Sequence, residues 1–206
     1  MKMMLEILVP LVLIAAVYVA GRFMMWRART RVVRAMRRLA AQGDPDGLVG
    51  MGIFCWDKGE YASAADFFEQ AVEKKHAEGK AWLGRCYMEG AGVEQDVTRA
   101  LELYRQSAES GAAEGCLQLG NCYLEGKGVQ KDAREAVRLY EQAVAQDDED
   151  AQYRLGMCCL DGVGLPADRE RGIDLLRRAA YMLQPDAMNE LEKRGVSFTT
   201  IEDDGE

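Results

Sequence analysis

The sequence has few of the residues that most often carry catalytic chemistry. Its 206 residues include a single histidine, His76, and they contain no C-x-x-C pair and no P-loop lysine motif. Without a second histidine, or a serine or cysteine in a recognisable nucleophile setting, acid–base and covalent catalysis lack their usual groups. His76 lies in a polar stretch, and we expect it at the surface. These absences argue against an enzyme.

Proline is also scarce, and charge of the two signs is unevenly distributed. Four prolines and a hydrophobic content of 49% favour a folded helical chain over a disordered one. The net charge is −8, but residues 1–42 carry +7, which leaves −15 on the remainder. An acidic body repels nucleic acid, so we expect no nucleic-acid partner. The basic part is typical of a segment at a membrane surface or a nucleic acid.

The N-terminal region, residues 1–26, contains the longest apolar run. Residues 7–21 carry no charge, and a helix over about 5–26 would span ~33 Å, enough for a hydrocarbon core. The positive-inside rule places the following residues in the cytoplasm, and hence predicts a single-pass protein of a bacterial inner membrane. The alternative is a cleaved signal peptide, which would export the rest of the chain. Six arginines set the predicted orientation: Arg27, Arg29, Arg31, Arg34, Arg37 and Arg38.

Residues 27–43 form a predicted basic juxtamembrane helix. Val33, Met36 and Ala40 recur at helical spacing among the arginines. They indicate either a solvated continuation of the membrane helix or an amphipathic stretch lying on anionic lipid. Gly43 predicts the end of this helix, and Asp44-Pro45-Asp46 is a typical start of the next one.

A 36-residue period organises most of the chain beyond residue 78. Tyr87-Met88-Glu89-Gly90-Ala91-Gly92-Val93 recurs twice downstream with that step, and each unit is predicted to form two antiparallel helices. The glycines end the first helix, and an aspartate caps the second. We call each set of equivalent positions in successive repeats a column. The remaining columns place small or aromatic residues between the paired helices. The repeated positions are Gly84, Gly120 and Gly156; Tyr87 and Tyr123; Gly90, Gly126 and Gly162; Gly92, Gly128 and Gly164; Asp96, Asp132 and Asp168; and Ala100 and Ala136.

These columns resemble the Sel-one-like repeat, a relative of the tetratricopeptide repeat with a longer loop between its helices. The resemblance implies an all-α solenoid, a right-handed superhelix of antiparallel helix pairs, and an adaptor that assembles other proteins. We expect a shorter tetratricopeptide-like unit at 44–78, three repeats and a half-repeat at 79–195, and an acidic, disordered tail at 196–206. The third unit departs from the pattern at Cys159, Gly172 and Leu176, which makes its packing less predictable.

Three further patterns have structural explanations. Gly90-x-Gly92 follows a helix instead of a strand and lacks a third glycine, so it is a turn and not a nucleotide loop. The six cysteines lack zinc spacing, and we expect them to be free core thiols. The run 147–150 is interpreted as solvated and N-capping, with Asp150 before the next helix. We therefore expect no metal, cofactor or small-molecule substrate.

The sequence thus predicts a membrane-anchored, non-catalytic scaffold tethered through residues 5–26. Its acidic array is expected to bind a protein partner through basic or amphipathic segments, on the concave side of the solenoid. Which helix lines that side is not determined at this level. The alternatives are an exported protein acting in the envelope or on a host, and an enzyme with a cryptic site.

Overall fold

The computed structural model describes residues 31–197, and these residues are entirely helical apart from turns and loops. Residues 31–41 are helical and are called α1. The next helices are α2 (Pro45–Asp57), α3 (Tyr61–Glu73), α4 (Ala77–Glu89), α5 (Val97–Glu109), α6 (Ala113–Glu125), α7 (Ala133–Val144), α8 (Glu149–Asp161), α9 (Arg169–Tyr181) and α10 (Pro185–Lys193). The predicted all-α class is confirmed for this part of the chain.

The helices pack as consecutive pairs. The pairs are α2 with α3, α4 with α5, α6 with α7, and α8 with α9, while α10 packs on α9. Each second helix also contacts the first helix of the next pair, and α4 lies directly against α6. We call the earlier helix of each pair the first helix and the later one the second helix. The first helices α4 and α6 of adjacent pairs lie closer together than the second helices do. The first helices therefore line one side of an α-helical solenoid.

Backbone geometry at the helix ends follows from the repeated glycine and aspartate columns. Gly90, with a φ of 68°, occupies the left-handed region and ends α4, a conformation that glycine adopts without steric cost. The Asp96 carboxylate caps α5 by accepting a hydrogen bond from the Arg99 amide at 2.9 Å. Asp132 and Asp168 cap α7 and α9 in the same way. The loop therefore fixes where both helices of a unit end and begin.

Within each pair, a glycine on the first helix lies against a ring on the second. A Cβ at Gly120 would lie 2.7 Å from Cε1 of Tyr140, and one at Gly84 would lie 2.8 Å from the same atom of Tyr104. Both tyrosines are fully buried, so the glycines create the space that the rings fill.

The third repeat unit departs from the pattern at Cys159, Gly172 and Leu176, and the structure accommodates each of them. Leu176 replaces the tyrosine opposite Gly156, where a Cβ would meet the leucine at 3.2 Å. Gly172 replaces the usual alanine, and the Leu160 side chain lies over it, 2.7 Å from where a Cβ would be. Cys159 replaces the tyrosine whose backbone carbonyl accepts a hydrogen bond from the capping aspartate, and that bond persists from the Asp168 amide at 2.8 Å. The contact survives because it uses no side-chain atom of Cys159.

Helix α1 packs on the array. Met36 contacts Gly50, and the α1 backbone at Leu39 and Ala40 contacts Gly47. Asp44 caps α2 through the Gly47 amide at 2.9 Å, with Pro45 in the first position of the helix. The sequence indicates a solvated or lipid-facing stripe on α1, and for Met36 and Ala40 both interpretations are wrong, because these residues contact α2.

The predicted membrane span at 5–26 lies outside the described residues, as do Arg27, Arg29 and the acidic segment 198–206. Within residues 31–197, no helix combines the length and apolarity needed to cross a bilayer. Arg31, Arg34, Arg37 and Arg38 lie on the exposed surface of α1.

All six cysteines are free and buried. Burial raises the pKa of the Cys86 thiol to about 12, and those of Cys122 and Cys158 to about 11. Thiols held in the protonated form are poor nucleophiles and poor metal ligands. Among the described residues, no group of three or more histidine, cysteine or acidic side chains is placed to hold a metal ion.

Candidate protein-binding groove

The first helices form a polar groove of about 240 Å³ that extends across four of them. Its floor includes the buried Leu117, and its walls are almost entirely polar or charged. The lining comprises Arg85 and Glu89 from α4, Gln118 and Asn121 from α6, Asp150, Tyr153 and Arg154 from α8, and Gln184 and Asp186 at the start of α10. We call this surface the concave groove.

Asn121 is held in one orientation by the core of its own repeat. The Tyr140 hydroxyl donates a hydrogen bond to Asn121 Oδ1 at 2.8 Å, and the ring beneath it is fully buried against Gly120. Because the carbonyl oxygen of the amide is used in this bond, the amide nitrogen retains its two N–H donors for the groove. Burial raises the pKa of Tyr140, which keeps the phenol protonated and able to donate.

Arg85 occupies the position corresponding to Asn121 in the preceding repeat, and its guanidinium is fixed on two sides. Its Nε donates to Glu89 at 2.8 Å, and its Cζ lies 4.8 Å from the Trp56 ring centroid and 5.4 Å from that of Trp82. Cation–π contacts and an ion pair together restrict the side chain. The groove thus begins with a cation that is already oriented.

Arg154 is the second cation of the groove, and it is exposed on α8. Its guanidinium lies 5.9 Å from the ring centroid of Tyr153. In the described part of the chain it forms no ion pair with a carboxylate. The N–H donors of this side chain are therefore available to a ligand with oxygen acceptors.

A row of acids lies in the first turns of the first helices, and two of its members reach the groove. One acid occupies the same position in every first helix: Asp46, Glu78, Glu114, Asp150 and Asp186. A negative charge in the first turn of a helix is favoured by the helix dipole. Asp150 and Asp186 of this acidic row line the concave groove, and their carboxylates can accept hydrogen bonds from lysine or arginine side chains.

Two junctions link this row to the next repeat through the capping residue. His76 Nδ1 accepts from the Gly79 amide at 3.1 Å, and its Nε2 lies 2.9 Å from Asp46 Oδ1. Gln184 caps α10 and donates to Asp150 at 3.1 Å in the same arrangement. The expectation that His76 is a surface residue is incomplete, because this side chain caps α4 and bonds to the preceding repeat.

Two of the four junctions lack such a donor: the residue before α6 is Ala112, whose side chain forms no cap, and the residue before α8 is Asp148. Asp148, and not the Asp150 that the sequence suggests, caps α8 through the Ala151 amide at 2.7 Å. Its carboxylate faces Glu114, whose partner is Gln118 Nε2 at 2.9 Å. The pKa of Glu114 is raised to about 7, mainly by burial and also by the charges of Asp148 and Asp150, while the hydrogen bond from Gln118 and the charge of Arg85 oppose the rise. Burial also raises the pKa of Asp148.

The repeated residues singled out in the sequence lie elsewhere. The glycine, aspartate and alanine columns lie at helix ends and helix contacts, and none of these residues lines the concave groove. Groove residues come from columns whose residue type changes between repeats, such as Arg85, Asn121 and Met157, or Trp82, Gln118 and Arg154. A search for varying columns on the first helix would have identified the groove from the sequence.

Comparison with known proteins identifies the family that has this repeat architecture. The family model described as Sel1 repeat matches residues 77–111, 113–148 and 149–182, which coincide with the pairs α4–α5, α6–α7 and α8–α9. A Sel1 repeat protein from Oxalobacter formigenes is similar at 27% identity and a TM-score of 0.66, over 77% of this chain and 65% of that one.

Two further relatives share the architecture. The structure of c5321, a protective antigen of uropathogenic Escherichia coli strains with an SLR fold, is similar at 25% identity and a TM-score of 0.61, over 80% of this chain and 37% of that chain. A protein named beta-lactamase HcpA, from Helicobacter pylori, is 39% identical over 67 residues, which are 32% of this chain. The chain spans about a quarter of the length of that relative and less than two thirds of the two structures.

Proposed function

Since the chain belongs to the Sel1 repeat family, we propose that it is a protein–protein interaction scaffold whose partner binds in the concave groove. The single observation that supports this most is that α4, α6 and α8 present N–H donors to one groove, and that Arg85 and Asn121 among them are held in place by other side chains. A flat or purely apolar surface would give no such directional preference. Repeat arrays present continuous surfaces of this kind to extended or helical segments of other proteins.

The chemistry of the groove favours a polar partner segment. Asn121 and Arg154 offer N–H donors to a main-chain carbonyl or a carboxylate, and the acidic row offers acceptors to lysine or arginine. The segment would therefore lie with its acceptors over α6 and α8 and its basic side chains towards Asp150 and Asp186. This agrees with the −15 charge of the chain beyond residue 42, which attracts basic segments over a longer range.

We propose that the scaffold is not catalytic. Ser107, a buried hydroxyl that could be considered as a nucleophile, donates to the Ala77 carbonyl at 2.7 Å and is inaccessible. The cysteine thiols are protonated by burial. The name of the Helicobacter relative makes a beta-lactam ring the substrate to test, and we expect the purified chain to leave the chromogenic cephalosporin nitrocefin unhydrolysed above the buffer rate. Hydrolysis that survives repurification would overturn this part of the proposal.

We further propose that residues 5–26 anchor the scaffold in a bacterial inner membrane, with the array in the cytoplasm. The uncharged run at 7–21 and the arginines after it support this orientation. An exported array acting in the envelope or on a host is the competing arrangement. A reporter fused after Glu206 separates them, because an alkaline phosphatase fusion is active only outside the cytoplasm and a green fluorescent protein fusion fluoresces inside it.

The groove proposal is tested by affinity capture with two groove variants and a control that matches the charge reversal at Arg154. We expect Arg154→Glu and Asn121→Asp to abolish recovery of partners that the unaltered chain captures from detergent extracts. Arg105→Glu is the control, because it makes the same charge change at an exposed site on α5, outside the groove. Equal recovery by the groove variants and the control would show that the partner binds elsewhere.

A further inference from the structure

The turn between α9 and α10 carries three consecutive apolar side chains that the protein leaves exposed. Tyr181 is 76% exposed, Met182 45% and Leu183 78%. Six large apolar side chains are exposed among residues 31–197, and half of them lie in this turn. Apolar side chains that are exposed side by side mark interaction sites, whereas single ones are common on any surface. We call residues 181–183 the apolar turn.

The equivalent turns of the preceding repeats are polar. They read Glu73-Lys74-Lys75, Glu109-Ser110-Gly111 and Ala145-Gln146-Asp147. The third residue of each has a left-handed backbone, and Leu183 has the same conformation, with a φ of 69°. This conformation disfavours leucine, and an exposed leucine gains nothing from burial. Neither the backbone nor the packing of the array therefore accounts for the apolar turn.

The concave groove leads to the apolar turn, because it crosses the first helices diagonally. Its lining begins at Arg85 and Glu89 in the second half of α4, and passes the middle of α6 and the first half of α8. It ends at Gln184 and Asp186, at the start of α10. Each successive helix thus contributes residues about one turn nearer to its own N-terminus. A segment that follows the groove leaves the array beside the apolar turn, which directly precedes Gln184.

We propose that the partner segment continues out of the groove and places an apolar side chain on the apolar turn, an inference that rests on the proposed function. The segment would carry basic residues over Asp150 and Asp186, followed within a few positions by a leucine, methionine or aromatic residue. Charge would then select the basic part of the segment, and burial of Tyr181, Met182 and Leu183 would select its apolar end.

Two other occupants fit the structure less well. Three side chains expose on the order of a few hundred Å², whereas a stable dimer of this chain would bury roughly 800 Å² on each copy. A lipid surface would have to meet the array from the wrong edge. Met36 contacts Gly50 and the backbone at 39–40 contacts Gly47, so α1 runs antiparallel to α2. The start of α1, to which the predicted membrane span leads, therefore lies where the first helices end, whereas the apolar turn lies where they begin.

The test replaces the apolar turn by the turn of an earlier repeat. The triple variant Tyr181→Glu, Met182→Ser and Leu183→Gly installs the residues found at 109–111. Because glycine adopts the left-handed backbone without steric cost, the thermal midpoint of the triple variant should not fall. Weaker binding by this variant therefore reports a lost contact and not a damaged fold.

The probes are fluorescein-labelled peptides of about twelve residues. They are selected from a phage-displayed library on the full chain in detergent, with removal of those that also bind Arg154→Glu. In anisotropy titrations we expect the triple variant to bind them roughly tenfold more weakly, the factor that corresponds to burial of one leucine-sized side chain. Serine in place of the peptide's apolar residue should weaken binding to the unaltered chain equally, and have no further effect on the triple variant. Val32→Ser, which removes an exposed apolar side chain on α1, is the control and should change nothing.

The other outcomes separate this inference from the proposed function. Peptides that require Arg154 but bind the triple variant at full strength would overturn the inference and leave the groove proposal standing. A selection without any peptide that requires Arg154 would count against both. Dimers in sedimentation velocity that the triple variant dissociates would overturn the inference in favour of a second copy. A blue shift of acrylodan attached at Met182→Cys, in phosphatidylglycerol nanodiscs without peptide, would overturn it in favour of lipid.

Discussion

The glycine column on the first helices gives the sharpest prediction, because three equivalent residues face different partners. Gly84 and Gly120 lie under the rings of Tyr104 and Tyr140, whereas Gly156 lies beside Leu176. Substitution of each glycine by alanine adds one methyl group at the same place in each repeat. The differences among the three variants therefore report what lies opposite.

The expected magnitudes come from two opposing contributions. Alanine is favoured over glycine inside a helix by about 1 kcal/mol, and overpacking a buried site costs about 1–3 kcal/mol. At Gly120 the new carbon would lie 2.7 Å from a fully buried ring, so we expect a net loss of up to about 2 kcal/mol, and a similar loss at Gly84. At Gly156 the nearest atoms are 3.2 Å away and include a flexible leucine, so the result should lie between no change and a gain of about 1 kcal/mol.

The assay is thermal unfolding followed by circular dichroism, in which 1 kcal/mol corresponds to about 2–4 °C for a chain of this size. We expect Gly84→Ala and Gly120→Ala to lower the midpoint and Gly156→Ala to leave it unchanged or raise it. Adding Tyr140→Leu to Gly120→Ala should cost less than the sum of the two single changes. Equal losses at all three positions would refute the argument that the opposing ring determines the cost.

Three further predictions concern the loops, the acidic junction and the thiols. Gly92→Ala should destabilise the array by at least ~3 kcal/mol in urea titrations, because its Cβ would overlap the backbone at Tyr61. Gly90 has a similar φ, but its Cβ would meet only the Gln95 side chain, at 3.3 Å, so Gly90→Ala should cost about 1–2 kcal/mol. Glu114 has its pKa raised to about 7 in the folded state, so the stability that it contributes at pH 5 should be lost as the pH rises towards 8. In Glu114→Gln this part of the pH dependence should be absent, and an unchanged slope between pH 5 and 8 would count against the assigned burial. The six cysteines should react with Ellman's reagent only at the rate of unfolding, and rapid labelling in buffer would show that they are accessible.

Much of the repeat architecture is encoded locally, which is why the sequence predicts it. A glycine after the first helix and an aspartate before the second determine the helix ends through backbone angles and capping bonds that involve only neighbouring residues. The repeated pattern then shows which columns pack between helices. The residues that repeat end helices, cap helices or pack between them. They therefore predict the solenoid and carry no information on a partner.

The groove and the junctions depend on contacts between residues about 30 positions apart. His76 lies in a polar stretch, and only the position of the preceding repeat shows that it bonds Asp46. The apolar stripe of α1 has the spacing of a lipid-facing helix, and the same spacing serves for packing on α2. Asn121 is ordinary in sequence, and its orientation follows from the Tyr140 hydroxyl in the neighbouring helix.

The most direct test of the proposed function is site-specific photo-crosslinking in living cells. The photoreactive residue p-benzoylphenylalanine would replace Gln118 in the centre of the concave groove, and in a second strain Arg105 on the outer surface of α5. We predict a discrete crosslinked partner from position 118 that Arg154→Glu eliminates, and none from position 105. The same partner crosslinked from position 105 and absent from position 118 would contradict the assignment of the groove.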